Sequence, residues 1–412
     1  MIWGFVDQSF SSATNFALSV IAGRAVGPEG LGTVAIAFSI YLIAVGLQRR
    51  LLTEPLLAGS ASDADPGRME TARHGLTMSL TAGCVVTAIA ALAGLIVPGF
   101  AGRGAWLVAP WLTFGLVQDF WRNILFRDQR AAAAATNDLA WLVTMAVTTP
   151  IALSIGSETA VVASWGIGAA AAALLGAVQT SYTPRSPRSS LGWWRAEAWP
   201  FGKWNAGAAV AANLSGNLGV FALAGILGAG ALGGLRAAQA VFAPLTLITP
   251  AITLPGLPAV ARAHARSFHE ARRRAFLLSG VAFSATLAYV AILLLGGWRL
   301  LPLLFGEGFA PFRSLIWPIA AGQLFVAAGI GLLVLIKAQR RGRLLLVNRA
   351  VSAIVGLALL TLLAWAYGLQ GAAWGTAAAG LVSTVILTWS GVHPPSVATA
   401  TDPTGLTGTA QS

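Results

Sequence analysis

At 412 residues, 56% hydrophobic and only 10% charged, with a mean hydropathy of +0.74, the chain cannot clothe a water-facing surface; soluble domains carry about 25% charged residues. The net charge of +12 does not point to nucleic acid, because the arginines fall between apolar runs at regular intervals instead of forming one patch. The lone Cys84 excludes an intramolecular disulfide, and His74, His264, His269 and His393 lack zinc spacing, so neither a cofactor nor a metal is expected.

Apolar runs near twenty residues long match the thickness of a bilayer, and lipid-exposed backbone must be helical. In chain order the predicted spans are 3–23, 31–50, 74–97, 105–125, 133–154, 159–180, 202–226, 230–254, 275–296, 313–336, 345–366 and 371–390. The fold class is therefore an all-α polytopic membrane protein of about 12 transmembrane helices. Met1 runs straight into apolar residues, which reads as a first span and not as a signal peptide; the missing basic stub points to a true start upstream.

Charge fixes the expected orientation. With the amino terminus inside, the cytoplasmic connections and their flanks collect 21 of the 26 Lys and Arg residues, and the other side keeps Arg24, Arg103, Arg236, Arg299 and Arg313. Miscounting one helix would scramble that alternation. Trp3, Trp106, Trp199, Trp204, Trp298, Trp365 and Trp389 lie near span ends, where indole rings prefer the headgroup level.

The main composition break is 181–200, read as a basic cytoplasmic linker with an interfacial helix. It separates an N-terminal six-helix lobe, 1–180, from a C-terminal six-helix lobe, 201–390; residues 391–412 read as a disordered cytoplasmic tail. The halves look repeated. Gly27-Pro28-Glu29-Gly30-Leu31-Gly32 follows the first span, and Gly228-Ala229-Gly230-Ala231-Leu232-Gly233 follows the seventh. Ser164-Trp165-Gly166 and Ala373-Trp374-Gly375 open the sixth and twelfth. A 6+6 parallel pseudo-repeat binds its substrate between lobes that rock against each other.

Polar residues inside spans are the candidate site. Asp7, Ser11, Asn15 and Ser19 recur every four residues on one face of the first helix, and Asn205, Asn213 and Asn217 repeat the idea on the seventh. They either line a shared cavity or tie helices together. Asp119 and Arg122, three apart, can pair on one face of the fourth helix, as a structural ion pair or a charge relay. Arg24 and Arg236 sit off the favoured side beside the two glycine turns, and Arg49 and Arg50 end the second span before Glu54. A guanidinium fork suits phosphate oxygens. No phosphate loop, paired carboxylates, Ser/His/Asp set or HExxH motif occurs in a plausible context, so an enzyme is not expected.

The stretch Ser19-Val20-Ile21-Ala22-Gly23-Arg24-Ala25-Val26-Gly27-Pro28-Glu29-Gly30-Leu31-Gly32 resembles the signature turn of the polysaccharide flippases. Arg49-Arg50-Leu51-Leu52-Thr53-Glu54-Pro55-Leu56 is similar to the end of their second helix. These flippases (O-antigen, exopolysaccharide and teichoic acid) belong to the multidrug/oligosaccharidyl-lipid/polysaccharide exporter superfamily. The resemblance implies flipping of a polyprenyl-diphosphate-linked glycan to the outer leaflet by alternating access. It places the chain in a bacterial inner membrane with both termini cytoplasmic, contacting membrane lipid and acting beside a glycan polymerase or glycosyltransferases. The clipped amino terminus and few lysines depart from the pattern, and the missing fourteen-helix extension argues against a peptidoglycan-precursor flippase. Arg24 matches the family's turn. For substrate binding, Arg236, Arg122, Asn15, Asn213 and Asn217 join it from the residue reading, with Asp7 and Asp119 for ion coupling. Two other readings compete: a cation-coupled multidrug or metabolite antiporter of the same superfamily, and a non-transporting scaffold of a glycan-synthesis complex.

Overall fold

The computed structural model describes residues 2–59, 67–296, 300–339 and 341–392. Within them it leaves aside the side chains of 2–15, 18, 58–59, 201, 204–216, 218, 254, 296 and 392. The tail expected at 391–412 lies almost wholly outside the described residues.

The helices are α1 (Ile2–Gln48), α2 (Glu54–Gly59), α3 (Arg68–Ile96), α4 (Gly99–Arg127), α5 (Ala131–Ile155), α6 (Glu158–Thr180) and α7 (Pro187–Trp193). They continue with α8 (Trp199–Ala240), α9 (Ile248–Arg266), α10 (Phe268–Gly296), α11 (Leu300–Phe305), α12 (Ile316–Ala338) and α13 (Gly342–Val392). Three of these are helical hairpins, broken where Gly27, Gly228 and Gly368 take φ of 65°, 83° and 61°. Only glycine adopts such angles cheaply. In α13 the halves fold back so tightly that a Cβ on Gly375 would lie 2.7 Å from Leu360 Cα, and one on Gly371 2.0 Å from Leu363 O. Small residues let membrane helices approach this closely.

Counting each hairpin as two, and the second half of α8 with α9 as one kinked span, the described residues hold six spans before α7 and six after it. Gly99, Gly156 and Gly306 also have positive φ. The six glycines therefore fall at alternate connections, three per lobe, and the arginine-rich segments take the intervening ones. One end of the molecule is a glycine-turn end and the other an arginine end. The eighth span runs further than expected: α8 ends at Ala240, a 3-10 turn at Ala243–Leu247 contains Pro244, and α9 continues past Pro255 and Pro258 to Arg266.

Each lobe packs small residues against large ones. In the first, Gly166, Gly168 and Gly176 of α6 receive the rings of Trp111, Trp141 and Trp121, each so close that a Cβ would fall 2.0–2.5 Å from ring carbons. Trp165 and Tyr41 meet edge to face at 4.7 Å between centroids. Trp106, Trp365 and Trp389 stand exposed on the flanks.

The segment after α6 is strapped to the first lobe. Arg185 donates to both carboxylate oxygens of Glu70 at 2.6 and 2.7 Å, and its backbone N–H donates to Thr77 Oγ1 at 2.7 Å. Arg73 Nε donates to Thr183 O at 3.1 Å, and His74 stacks on Trp193. Trp194 Nε1 donates to Leu51 O at 2.9 Å. The Arg185 hydrogen bonds hold the Glu70 carboxyl below its ordinary 4.5. A depressed carboxylate contributes stability above its unfolded pKa and loses it as pH falls through the folded value. The strap should thus hold at neutral pH and loosen below about pH 4.5. Amide protection over 182–190, measured against the intrinsic exchange rate at each pH, should fall there in the native chain, while Arg185→Ala should show low protection at both pH values.

Candidate functional site

The lobes meet along α1 and α8, and a cavity of ≈ 230 Å³ lies between them. Ser19 comes from the first half of α1, and Leu31, Val34, Phe38, Ser39 and others from its second half; Arg236 closes the cavity from α8. A second cavity, of ≈ 340 Å³, lies inside the second lobe. The α8 hairpin puts Val220 and Leu223 beside Leu232 and Arg236, and α13 adds Ser352, Gly356 and Thr376.

Arg236 lines both cavities. Its hydrogen bond to Gln239 Oε1 is long, 3.4 Å, and no carboxylate faces it among the described residues. Ser352 Oγ and, one turn earlier, Asn348 Oδ1 are buried without a partner. A guanidinium inside a membrane bundle is costly and marks a substrate pathway more often than a structural post. Here it offers several N–H donors and one positive charge to whatever enters.

Two buried carboxylates of the first lobe, Asp119 and Asp138, have cationic partners. Arg49 Nε donates to Asp119 Oδ1 and Oδ2 at 3.1 and 3.0 Å. Asp119 is 4% exposed at its side chain and Arg49 42%. Arg122 Nε lies 3.3 Å from Asp138 Oδ2. Gln118 Nε2 donates to Asp138 Oδ1 at 2.9 Å and Asn137 Oδ1 at 3.1 Å, and Asn137 donates on to Ala172 O. Asp119 thus finds a partner in Arg49, just past the end of α1, and Arg122 one in Asp138 on α5, beyond what the three-residue spacing of Asp119 and Arg122 announces. A π-turn at Arg49–Thr53 follows α1 and aims Arg49 back at α4. With its charge taken by Arg49, Asp119 is a poor seat for a coupling cation.

Arg24 sits at the glycine-turn end. Its Nε and Nη2 donate to the carbonyls of Leu304 and Leu303 at 2.7 and 2.6 Å, capping α11 of the other lobe. The two glycine turns meet beside it. A Cβ on Gly32 would fall 2.0 Å from Ala229 O, and one on Gly233 1.9 Å from Pro28 O. Arg24 is thus a clasp between lobes, and its fork is already occupied.

The expected site residues therefore divide among three places and do not converge on one. Arg236 reaches the cavities, Asp119 and Arg122 stay in the first-lobe network, and Arg24 bridges the lobes. Asn217 lies half-buried on α8, two residues before Gly219 of the second-lobe cavity. The side chains of Asp7, Asn15 and Asn213 lie outside the described residues. Gln239, Ser352 and Thr376 escaped sequence reasoning; the four-residue step from Asn348 to Ser352 was the available signal.

No family model matches the chain, and no curated protein matches it by sequence. Solved structures do match in fold. The chain is similar to an inward-facing multidrug resistance MATE family transporter of the MOP superfamily, with TM-score 0.72 and 17% identity, covering 92% of this chain and 93% of that one. It is similar to the lipid II flippase MurJ in an inward closed conformation, with TM-score 0.75 and 12% identity, over 95% of this chain and 87% of that one. A MOP superfamily transporter from Pyrococcus furiosus, described as having a binding pocket of reverse polarity, aligns with TM-score 0.61 and 16% identity, over 95% and 93%.

Proposed function

We propose that this chain, which has the all-helical two-lobe fold of the MOP superfamily transporters, flips a polyprenyl-diphosphate-linked oligosaccharide between membrane leaflets by alternating access. The observation that carries this reading is Arg236, a cation set between two cavities and facing no carboxylate among the described residues. A diphosphate supplies the missing charge and several acceptors. Among the described residues the linings of both cavities include no acid, which a site for cationic drugs would need, so the antiporter reading is set second.

Closure at the glycine-turn end and the arginine bias of the opposite end together support a state that loads from the cytoplasmic side. In this reading both termini are cytoplasmic, the membrane is a bacterial inner membrane, and a glycan polymerase or glycosyltransferase uses the delivered product. The lobes then rock, the Arg24 clasp and the glycine contact part, and the headgroup leaves at the other face.

The test is Arg236→Gln, which keeps polarity and removes charge. One charge-assisted hydrogen bond contributes about 1.5–3 kcal/mol, so transfer of the lipid-linked glycan should fall about 10–100-fold at unchanged protein level. Mass spectrometry of membrane lipids should show the unflipped precursor accumulating. Normal lipid profiles and normal surface polymer in that variant would sink the reading.

A further inference from the structure

A second candidate site lies on the lipid-facing flank, away from both cavities. The first turns of α10 carry Arg272, Arg273 and Arg274 in succession. Arg274 is structural: it donates to Glu270 Oε1 at 2.7 Å and reaches Ala259 O at 3.5 Å. Arg272 and Arg273 have no acidic partner among the described residues. With His269 they head one open face of α10, a shallow groove that continues along Phe276, Leu277, Gly280, Val281 and Ser284.

Two physical features make this more than an arginine bias. Cations at the N-terminal end of a helix oppose its macrodipole, so helix stability alone does not favour them there. Below them, Leu277 and Val281 are 61% and 60% exposed, and a Cβ on Gly280 would meet nothing within 4 Å. Gly280 leaves a notch in this exposed apolar face, below two arginines with no acidic partner among the described residues. That order, charge above and apolar trough below, complements one molecule of a bilayer leaflet.

The geometry points to a binding site for an anionic phospholipid, its phosphate on Arg272 and Arg273 and one acyl chain along Gly280. Nothing in this site depends on what the lobes carry. Arg262 and Arg266, exposed near the end of α9, belong to the same end of the molecule but do not line the groove, and they serve as the electrostatic control.

Native mass spectrometry of the full-length protein, taken from micelles holding phosphatidylglycerol and phosphatidylcholine at equal concentration, reads the site. The native chain should retain phosphatidylglycerol preferentially. A surface cation contributes about 1 kcal/mol to anionic lipid, so Arg272→Ala with Arg273→Ala should weaken retention about 30-fold. Arg272→Lys with Arg273→Lys should restore most of it, which separates binding from misfolding. Gly280→Leu fills the trough without touching charge and should also weaken retention. Arg262→Ala with Arg266→Ala should leave it unchanged. Equal loss in that control, no loss in Gly280→Leu, failure of the lysine pair to restore, or displacement by an equal concentration of polyprenyl phosphate would each overturn the assignment.

Discussion

Replacing Arg49 by methionine is expected to cost far more stability than replacing Asp119 by asparagine, although the two side chains form one ion pair. The asymmetry follows from burial. Without Arg49 the Asp119 carboxylate, 4% exposed, loses a guanidinium that donates to both its oxygens, and Asn123 Nδ2 stands 3.4 Å from Oδ2. An orphaned buried charge costs about 3–5 kcal/mol. Without the Asp119 charge, Arg49 is 42% exposed and can turn its head outward; losing a solvent-reachable pair costs about 1 kcal/mol or less. The double variant should recover most of the Arg49→Met loss. Thermal unfolding of the purified variants checks all three, and equal losses in the two single variants would show that Arg49 has no route to water.

The second large effect is expected at the glycine contact. A valine at Gly233 would put Cβ 1.9 Å from Pro28 O and 3.0 Å from Gly32 N, both backbone atoms that cannot swing aside. Overpacking costs about 1–3 kcal/mol where neighbours can yield. Here relief comes only by parting the lobes, so the closed state should lose up to about 150-fold in population. Arg24→Ala should push the same way more weakly, by removing the clasp and leaving the contact. Spin labels at Glu29 and Ala231 report the separation by pulsed electron spectroscopy. A longer distance in Gly233→Val is the expected result; an unchanged distribution would mean that the contact does not gate this end.

The architecture was legible because two independent signals agreed. Apolar length located the spans, and arginines at alternate connections gave their order. The Gly27 and Gly228 turns were visible as motifs, and positive φ explains why glycine stands there. The eighth span was cut short at 254 because prolines read as stops, yet α9 runs through Pro255 and Pro258 to Arg266. The site was harder. Arg24 and Arg236 looked equivalent in the sequence, both off the favoured side. The acceptors that occupy Arg24 are backbone carbonyls about 280 residues away, and no side-chain pattern announces a carbonyl. Helical spacing likewise offered Arg122 to Asp119 and missed Arg49, because a local rule cannot see seventy residues back.

The six turn glycines also measure how nearly the two halves share one spacing. Gly27 and Gly228 are 201 residues apart, Gly99 and Gly306 are 207, and Gly156 and Gly368 are 212. The second half is therefore longer than the first by six residues between Gly228 and Gly306 and by five between Gly306 and Gly368. Those intervals hold the 3-10 segments Ala243–Leu247 and Glu307–Leu315. The extra length falls where the second half breaks its helices into 3-10 turns, so the six turns stay at matching places while the spans between them differ.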